Sequence, residues 1–309
     1  MRCLVTGGSG FIGSYIVEEL TREGNEVIVV GIDAEDAHVI DGARYVEADI
    51  TDADQIGRAM AGVDEVYHVA GVLGTSELLK LNQKAIDVNV IGTVNCLRTA
   101  QEAGVKRFFY PTKPNNWLNT YSITKYTAEQ FCQLFRTTTD MDVTILRLFN
   151  VYGPRQHLYP VRKAVPLFVA QALIGHPVTV YGSGEQDVDL VHARDTARTI
   201  ISATRRGVTS LAGGQVLDLG SGVPTSVNDL AAMIIRLSDS RSEIERLPMR
   251  PGEPVDSSIR ADAQTASAWL DIGRFVDLEQ GMKETIEYYH SKPREELVKT
   301  VEFHLAAAV

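Results

Sequence analysis

Tyr121 and Lys125 stand four residues apart in Tyr121-Ser122-Ile123-Thr124-Lys125, so on a helix the phenol and the ammonium share one face, one turn apart. A nearby cation favours the phenolate and turns a weak base, with an unperturbed pKa of about 10, into a usable one. Taken alone, the pair equally describes an exposed helix surface. A second pattern lies at the other end of the chain. Cys3-Leu4-Val5-Thr6 runs into Gly7-Gly8-Ser9-Gly10-Phe11-Ile12-Gly13, followed by Ile16, Val17 and Leu20 at helical spacing. Glycines at 7, 10 and 13 permit a tight turn, close backbone approach to a pyrophosphate and helix–strand packing, while the helix start at Phe11, Ile12 and Gly13 turns its amides to the phosphates. Asp33 follows near the end of a second strand, where a carboxylate accepts a hydrogen bond from a ribose 2′-hydroxyl. With no arginine beside it, NAD is favoured over NADP. Asp49 and Ile50, after a third strand, suit the adenine edge or a plain strand-end turn.

These groups need a scaffold, and the first half of the chain supplies its pattern. Short apolar runs at residues 2–6, 26–30, 44–48, 65–69, 107–110 and 143–148 alternate with longer amphipathic stretches, as parallel strands joined by crossover helices do. Ile86, Val90, Val94 and Leu97 recur at helical spacing between the fourth and fifth runs. The expected fold is α/β, a Rossmann-type doubly wound parallel sheet over residues 1–150, with parts of 186–220 returning to it. Tyr152-Gly153-Pro154 breaks the rhythm, and seven further prolines crowd the region from Pro160 to Pro254. A smaller α/β domain is expected over 151–290, with strands at 178–181 and 216–219, a helix starting at Ser226-x-x-Asp229, and a tail over 291–309.

Composition excludes several classes. The 309 residues are 44% apolar and 23% charged, which is ordinary for a folded chain. A net charge of −10 argues against nucleic acid or an anionic membrane as partner. No run reaches the roughly 20 apolar residues of a membrane span. Cys3, Cys96 and Cys132 are too few and too far apart for a disulfide framework or a metal site, so a cytoplasmic location and no metal are expected. His157, His176 and His192 lack ligand partners at short spacing. His68 reads as a packed or hydrogen-bonded histidine, and Trp117 and Trp269 as packing residues that could otherwise stack on a base or sugar.

Taken in order, the motifs resemble those of the extended short-chain dehydrogenases, in particular the nucleotide-sugar epimerase/dehydratase family. The resemblance rests on Thr6–Ser14, Tyr67-His68-Val69-Ala70-Gly71, Val88-Asn89-Val90-Ile91-Gly92-Thr93, Tyr121-x-x-x-Lys125, Leu146–Pro154, Val180–Gly184 and Arg250-Pro251-Gly252-Glu253. It implies that Val69, Ala70, Gly71 and Asn89 line NAD, that Lys125 holds the nicotinamide ribose, and that Phe149 flanks the nicotinamide. Asn150, Thr179, Tyr181 and Arg250 would hold the nucleotide diphosphate of a nucleotide-sugar substrate. Tyr121 would take a sugar hydroxyl proton as hydride passes to NAD, and an epimerase would then return hydride to the other face. A homodimer built on residues 85–103 and 119–135 is also implied.

The chain departs from the family pattern at the sugar end. Lys113 occupies the place of the usual serine or threonine after the fifth strand, leaving Thr112 as the nearest hydroxyl, and the connection to Tyr121 is short. Lys113 could polarise a carbonyl or be a solvated loop charge. Val188 replaces an expected arginine, and the acidic pair of the 4,6-dehydratases is absent, which places 4-epimerase ahead of dehydratase. A dehydratase, a net dehydrogenase or reductase, and a low-turnover NAD-binding sensor are the rival readings.

Overall fold

The computed structural model describes residues 1–32, 38–115, 117–250, 253–254, 258–262, 269–270 and 275–306. Strands β1 (Arg2–Thr6), β2 (Glu26–Gly31), β3 (Arg44–Glu47), β4 (Glu65–His68), β5 (Arg107–Thr112) and β6 (Asp142–Leu148) join β10 (Leu217–Leu219) in one sheet. Its order is β10-β6-β5-β4-β1-β2-β3, and every neighbouring pair in it is parallel. The expected runs differ from these strands by no more than two residues at either end. The 217–219 segment pairs with β6, so the chain returns to its first sheet after leaving it.

The strands are apolar on both faces because both faces are covered. Cys3, Val5, Val27 and Val29 pack on one side with Ile16, Val17 and Leu20 of α1 (Phe11–Arg22) and Ala197 and Ile200 of α7 (Ala193–Arg206). Leu4, Ile28 and Val30 point the other way, toward Ile56 of α2 (Ala53–Ala59), Leu97 of α4 (Gly92–Glu102) and Ala128 of α5 (Thr120–Thr138). Each fully buried side chain of this kind contributes roughly 1.5–3 kcal/mol. The pattern of alternation therefore fixes the doubly wound arrangement.

A separate core is built from β7 (Asn150–Tyr152), α6 (Ala164–Ile174), β8 (Val178–Tyr181), β9 (Asp187–His192), α9 (Val227–Leu237) and the helix Leu278–His290, with β11 (Pro224–Ser226) and β12 (Ile244–Leu247) paired onto its strands. β9 lies between β7 and β11, and β12 pairs with β8. Ser226 caps α9 by accepting from the Asp229 amide at 3.0 Å, as its sequence signature requires. The segment expected as a tail is instead largely a helix, Arg294–Ala306. Leu297, Thr300, Val301 and His304 recur on one face and are buried, so this face packs on the core rather than facing solvent.

Candidate active site

The strand order reverses between β1 and β4, and in open α/β sheets ligands bind outside the carboxyl ends of strands at such a point. The loop after β1 meets the loop after β4 there. Gly7 has a φ of +68°, and a Cβ on it would come within 2.8 Å of the Ala70 Cα. A Cβ on Gly13 would lie 2.1 Å from the Gly7 carbonyl oxygen. Only glycine fits either place. Gly10 stands at the N-cap of α1 without any side-chain cap, leaving the first-turn amides to face the crevice.

A buried hydrogen-bond chain ties the loops after β1 and β4 to the helix that carries Tyr121 and Lys125. Thr6 Oγ1 lies 2.7 Å from His68 Nδ1, and His68 Nε2 lies 3.0 Å from Thr93 Oγ1. His68 is fully buried, and burial reinforced by the Lys125 charge pushes its pKa down to about 3, which keeps it neutral and structural, as its type and place suggested. Asn89 sits in the π-helical turn Ile86–Ile91. Its side chain donates to the Val72 carbonyl at 2.9 Å, accepts from the Val72 amide at 2.8 Å, and donates to Thr124 of α5 at 3.2 Å. Asn89 thus holds the loop after Gly71 against α5. Asp49 accepts from the amide and hydroxyl of Thr51, both at 2.8 Å, so one of its oxygens is spent on a strand-end turn, while Ile50 is buried near Gly92. Asp33 lies outside the described residues.

Asn119 caps α5 by accepting from the Ser122 amide at 2.9 Å, which places Tyr121 in the first turn and Lys125 one turn on. Lys125 is nine-tenths buried, with Nζ 4.0 Å from the Tyr110 ring centroid. Burial pushes its pKa down to about 7, and burial pushes Tyr121 up to about 12. The expected lowering of the phenol by its lysine is therefore corrected in this state of the protein. The same desolvation that disfavours phenolate also disfavours the ammonium meant to stabilise it.

The two residues at the end of β5 part company. Thr112 is buried and donates to Glu129 at 2.8 Å, so its hydroxyl is committed beneath the site. Lys113 donates to Ser122 Oγ at 2.7 Å and stands 5.0 Å from the ring centroid of Tyr121 and 5.4 Å from that of Trp117. Lys113 is thereby a caged group beside the phenol rather than a loose loop charge. Trp117 forms one wall of that cage.

Further out, Tyr181 receives the Arg162 guanidinium on its hydroxyl and has the Arg250 guanidinium 5.5 Å from its ring centroid. Arg250 pairs with Glu253. Lys163, the N-cap of α6, interacts electrostatically with Glu77, Arg250 and Glu253. Arg162 and Lys163 escaped the sequence reading, although a signal was there: two cations at a helix start oppose the helix dipole and need a reason to be there. Phe149 is buried beside β10, and Asn150 is exposed at the start of β7. Thr179 does not face this cluster as an open side chain. It is buried, and its hydroxyl and amide are both taken by Gln171, at 2.9 and 3.1 Å.

Residues 3–217 match the model of the NAD dependent epimerase/dehydratase family. The chain belongs to that family. It is 31% identical to the UDP-glucose 4-epimerase of Mycolicibacterium smegmatis, over 94% of this chain and 99% of the relative. It is 28% identical to a UDP-N-acetyl-alpha-D-glucosaminuronate decarboxylase of Bacillus cytotoxicus, over 93% and 97% of the two chains. Among solved structures, the UDP-glucose 4-epimerase of Thermotoga maritima with UDP-glucose superposes with a TM-score of 0.84 at 28% identity, covering 94% of this chain and 98% of that one. The protein is thus an NAD-dependent enzyme of the epimerase/dehydratase family, acting in a family of nucleotide-sugar enzymes. The cradle formed by Gly7, Gly10 and Gly13 fits that cofactor, because its close backbone contacts leave the α1 amides open to a pyrophosphate. Among the described residues no helix is long and apolar enough to cross a membrane.

Proposed function

We propose that the chain is a nucleotide-sugar 4-epimerase. The observation that carries this reading is the neighbourhood of Tyr121. Lys113 stands over its ring and is itself held by Trp117 and Ser122, Lys125 follows one turn on, and the carboxylate of Glu129 is turned to Thr112. Elimination of water needs a second acid or base beside the sugar, whereas epimerisation needs one group that takes a proton and gives the same proton back. Tyr121 can do both.

Bound NAD supplies an acceptor for hydride and later its donor. Tyr121 removes the C4 hydroxyl proton as C4 loses hydride, which leaves a 4-keto sugar. After the sugar turns over, C4 regains hydride on its opposite face and Tyr121 returns the proton to oxygen. Lys125 would orient the ribose of bound NAD, and its protonated form, with the oxidised nicotinamide, would favour the phenolate and draw Tyr121 back from about 12 toward usable basicity. Arg250, Lys163 and Tyr181 hold the diphosphate.

Two further features belong to the same reading. Ile91, at the end of the turn before α4, and Ile123, Tyr126 and Leu134 on α5 are exposed, apolar surface suited to a second copy of the chain. Three buried free thiols suit a reducing cytoplasm. The test of function is to incubate the purified chain with NAD and, separately, UDP-glucose, UDP-galactose, their N-acetyl forms and their uronic acids, following the sugar protons by NMR. Interconversion of C4 epimers is the expected result. A deoxy-keto product or stoichiometric NADH would overturn it.

A further inference from the structure

The sugar side of the site holds a lysine that lacks an anion. Lys113 has as its contacts the Ser122 hydroxyl and the faces of Tyr121 and Trp117. Among the described residues no carboxylate forms an ion pair with it. Its attraction to Glu253 acts at longer range, and Glu253 is already paired with Arg250. Cation–π contacts offset only part of the cost of taking an ammonium out of water. Burial, with repulsion from Lys163, lowers its pKa to about 8, so the group is still an ammonium at neutral pH. An ammonium in such a place suits a ligand that brings the missing charge.

The diphosphate is not the natural candidate for that charge. The other cations gather around Tyr181 and the start of α6, whereas Lys113 stands against the ring of the catalytic phenol, where the reacting carbon must sit. On the epimerase reading, the oxygen at C4 faces Tyr121, and the substituent on C5 is next to it on the ring. We propose that Lys113 is a specificity-determining residue that pairs with a carboxylate on C5, so that the preferred substrates are nucleotide hexuronates rather than neutral nucleotide hexoses. The hydroxyl-bearing residue usual at this position can donate one hydrogen bond to either sugar. A lysine there discriminates, because only the acid neutralises it. The neutral sugar would bury the ammonium still unpaired.

The experiment compares UDP-glucuronate with UDP-glucose as substrates of the whole chain with NAD, for the wild type, Lys113→Met and Lys113→Arg. Affinity for UDP alone is measured in parallel by calorimetry. The wild type should favour the acid in kcat/KM by roughly tenfold to a hundredfold, the range of one charge-assisted hydrogen bond. Lys113→Met should remove that preference chiefly through KM, Lys113→Arg should retain it, and UDP affinity should change by less than about twofold in either. Equal or better use of UDP-glucose by the wild type overturns the assignment. So does a loss of UDP affinity in Lys113→Met as large as the loss for UDP-glucuronate, which would make Lys113 a diphosphate contact. A nucleotide pentose formed from the acid supports the carboxylate pairing and overturns the epimerase reading instead. If neither sugar reacts, the epimerase reading fails, and calorimetric binding of the acid against the neutral sugar still decides the role of Lys113.

Discussion

The cofactor side and the sugar side of this site are built from different materials. At the cofactor side the backbone does much of the shaping: Gly7 and Gly13 bring two chain segments within contact distance of each other and of α1. At the sugar side the backbone is an ordinary strand end and helix start, and side chains from separate segments make the site: Lys113, Trp117, Tyr121, and farther away Lys163, Tyr181 and Arg250. Backbone shape tolerates little substitution and serves one ligand. A side-chain cage can be rebuilt residue by residue, which is how one scaffold serves many sugars.

Four changes break or sharpen this contrast. The largest effect is expected from Tyr121→Phe, which removes the proposed proton carrier and leaves the backbone cradle untouched. Turnover should fall on the order of a thousandfold or more, while NAD affinity measured by fluorescence stays near that of the wild type. Gly13→Ala should do the reverse. Its Cβ meets the Gly7 carbonyl at 2.1 Å, so NAD affinity should drop by about a hundredfold as the loop is forced apart. An unchanged affinity would show that the cradle is not backbone-limited.

Next comes the pH dependence of hexuronate use. The ammonium of Lys113 is the form that pairs with a carboxylate, and its pKa is about 8. Pairing is therefore present below pH 8 and is lost as pH rises through that value. KM for the acid should climb above pH 8 by up to about tenfold per unit, and Lys113→Arg should move this rise beyond the accessible range. The smallest effect is expected from Asn89→Ala. Loss of its three hydrogen bonds should cost about 1–3 kcal/mol of stability by denaturant melting, with NAD affinity and turnover falling together, because Asn89 joins the two sides through Val72 and Thr124.

Legibility followed the same division. The glycine loop, the strand alternation and the Tyr121–Lys125 spacing all depend on neighbours in the chain, and each appears in the structure where the sequence placed it. Asn89 could be assigned to the cofactor region but not to its work of pinning Val72, because that contact joins residues 17 positions apart. Thr112 and Lys113 looked like alternatives for one role. The pleat of β5 separates them, sending Thr112 down to Glu129 and leaving Lys113 at the phenol. Thr179 similarly turned inward to Gln171. The helix at Arg294–Ala306 was missed because its buried face is narrow and its start is strongly charged.

By itself, the sequence determined the doubly wound sheet, the dinucleotide loop and the spacing of Tyr121 and Lys125 on one helix, since apolar periodicity, glycine geometry and helical spacing are local properties. Only the tertiary structure decided the charge state of that phenol and the partner of Lys113. Burial sets whether Tyr121 and Lys125 hold charge, and burial is the sum of what distant segments bring to the same place.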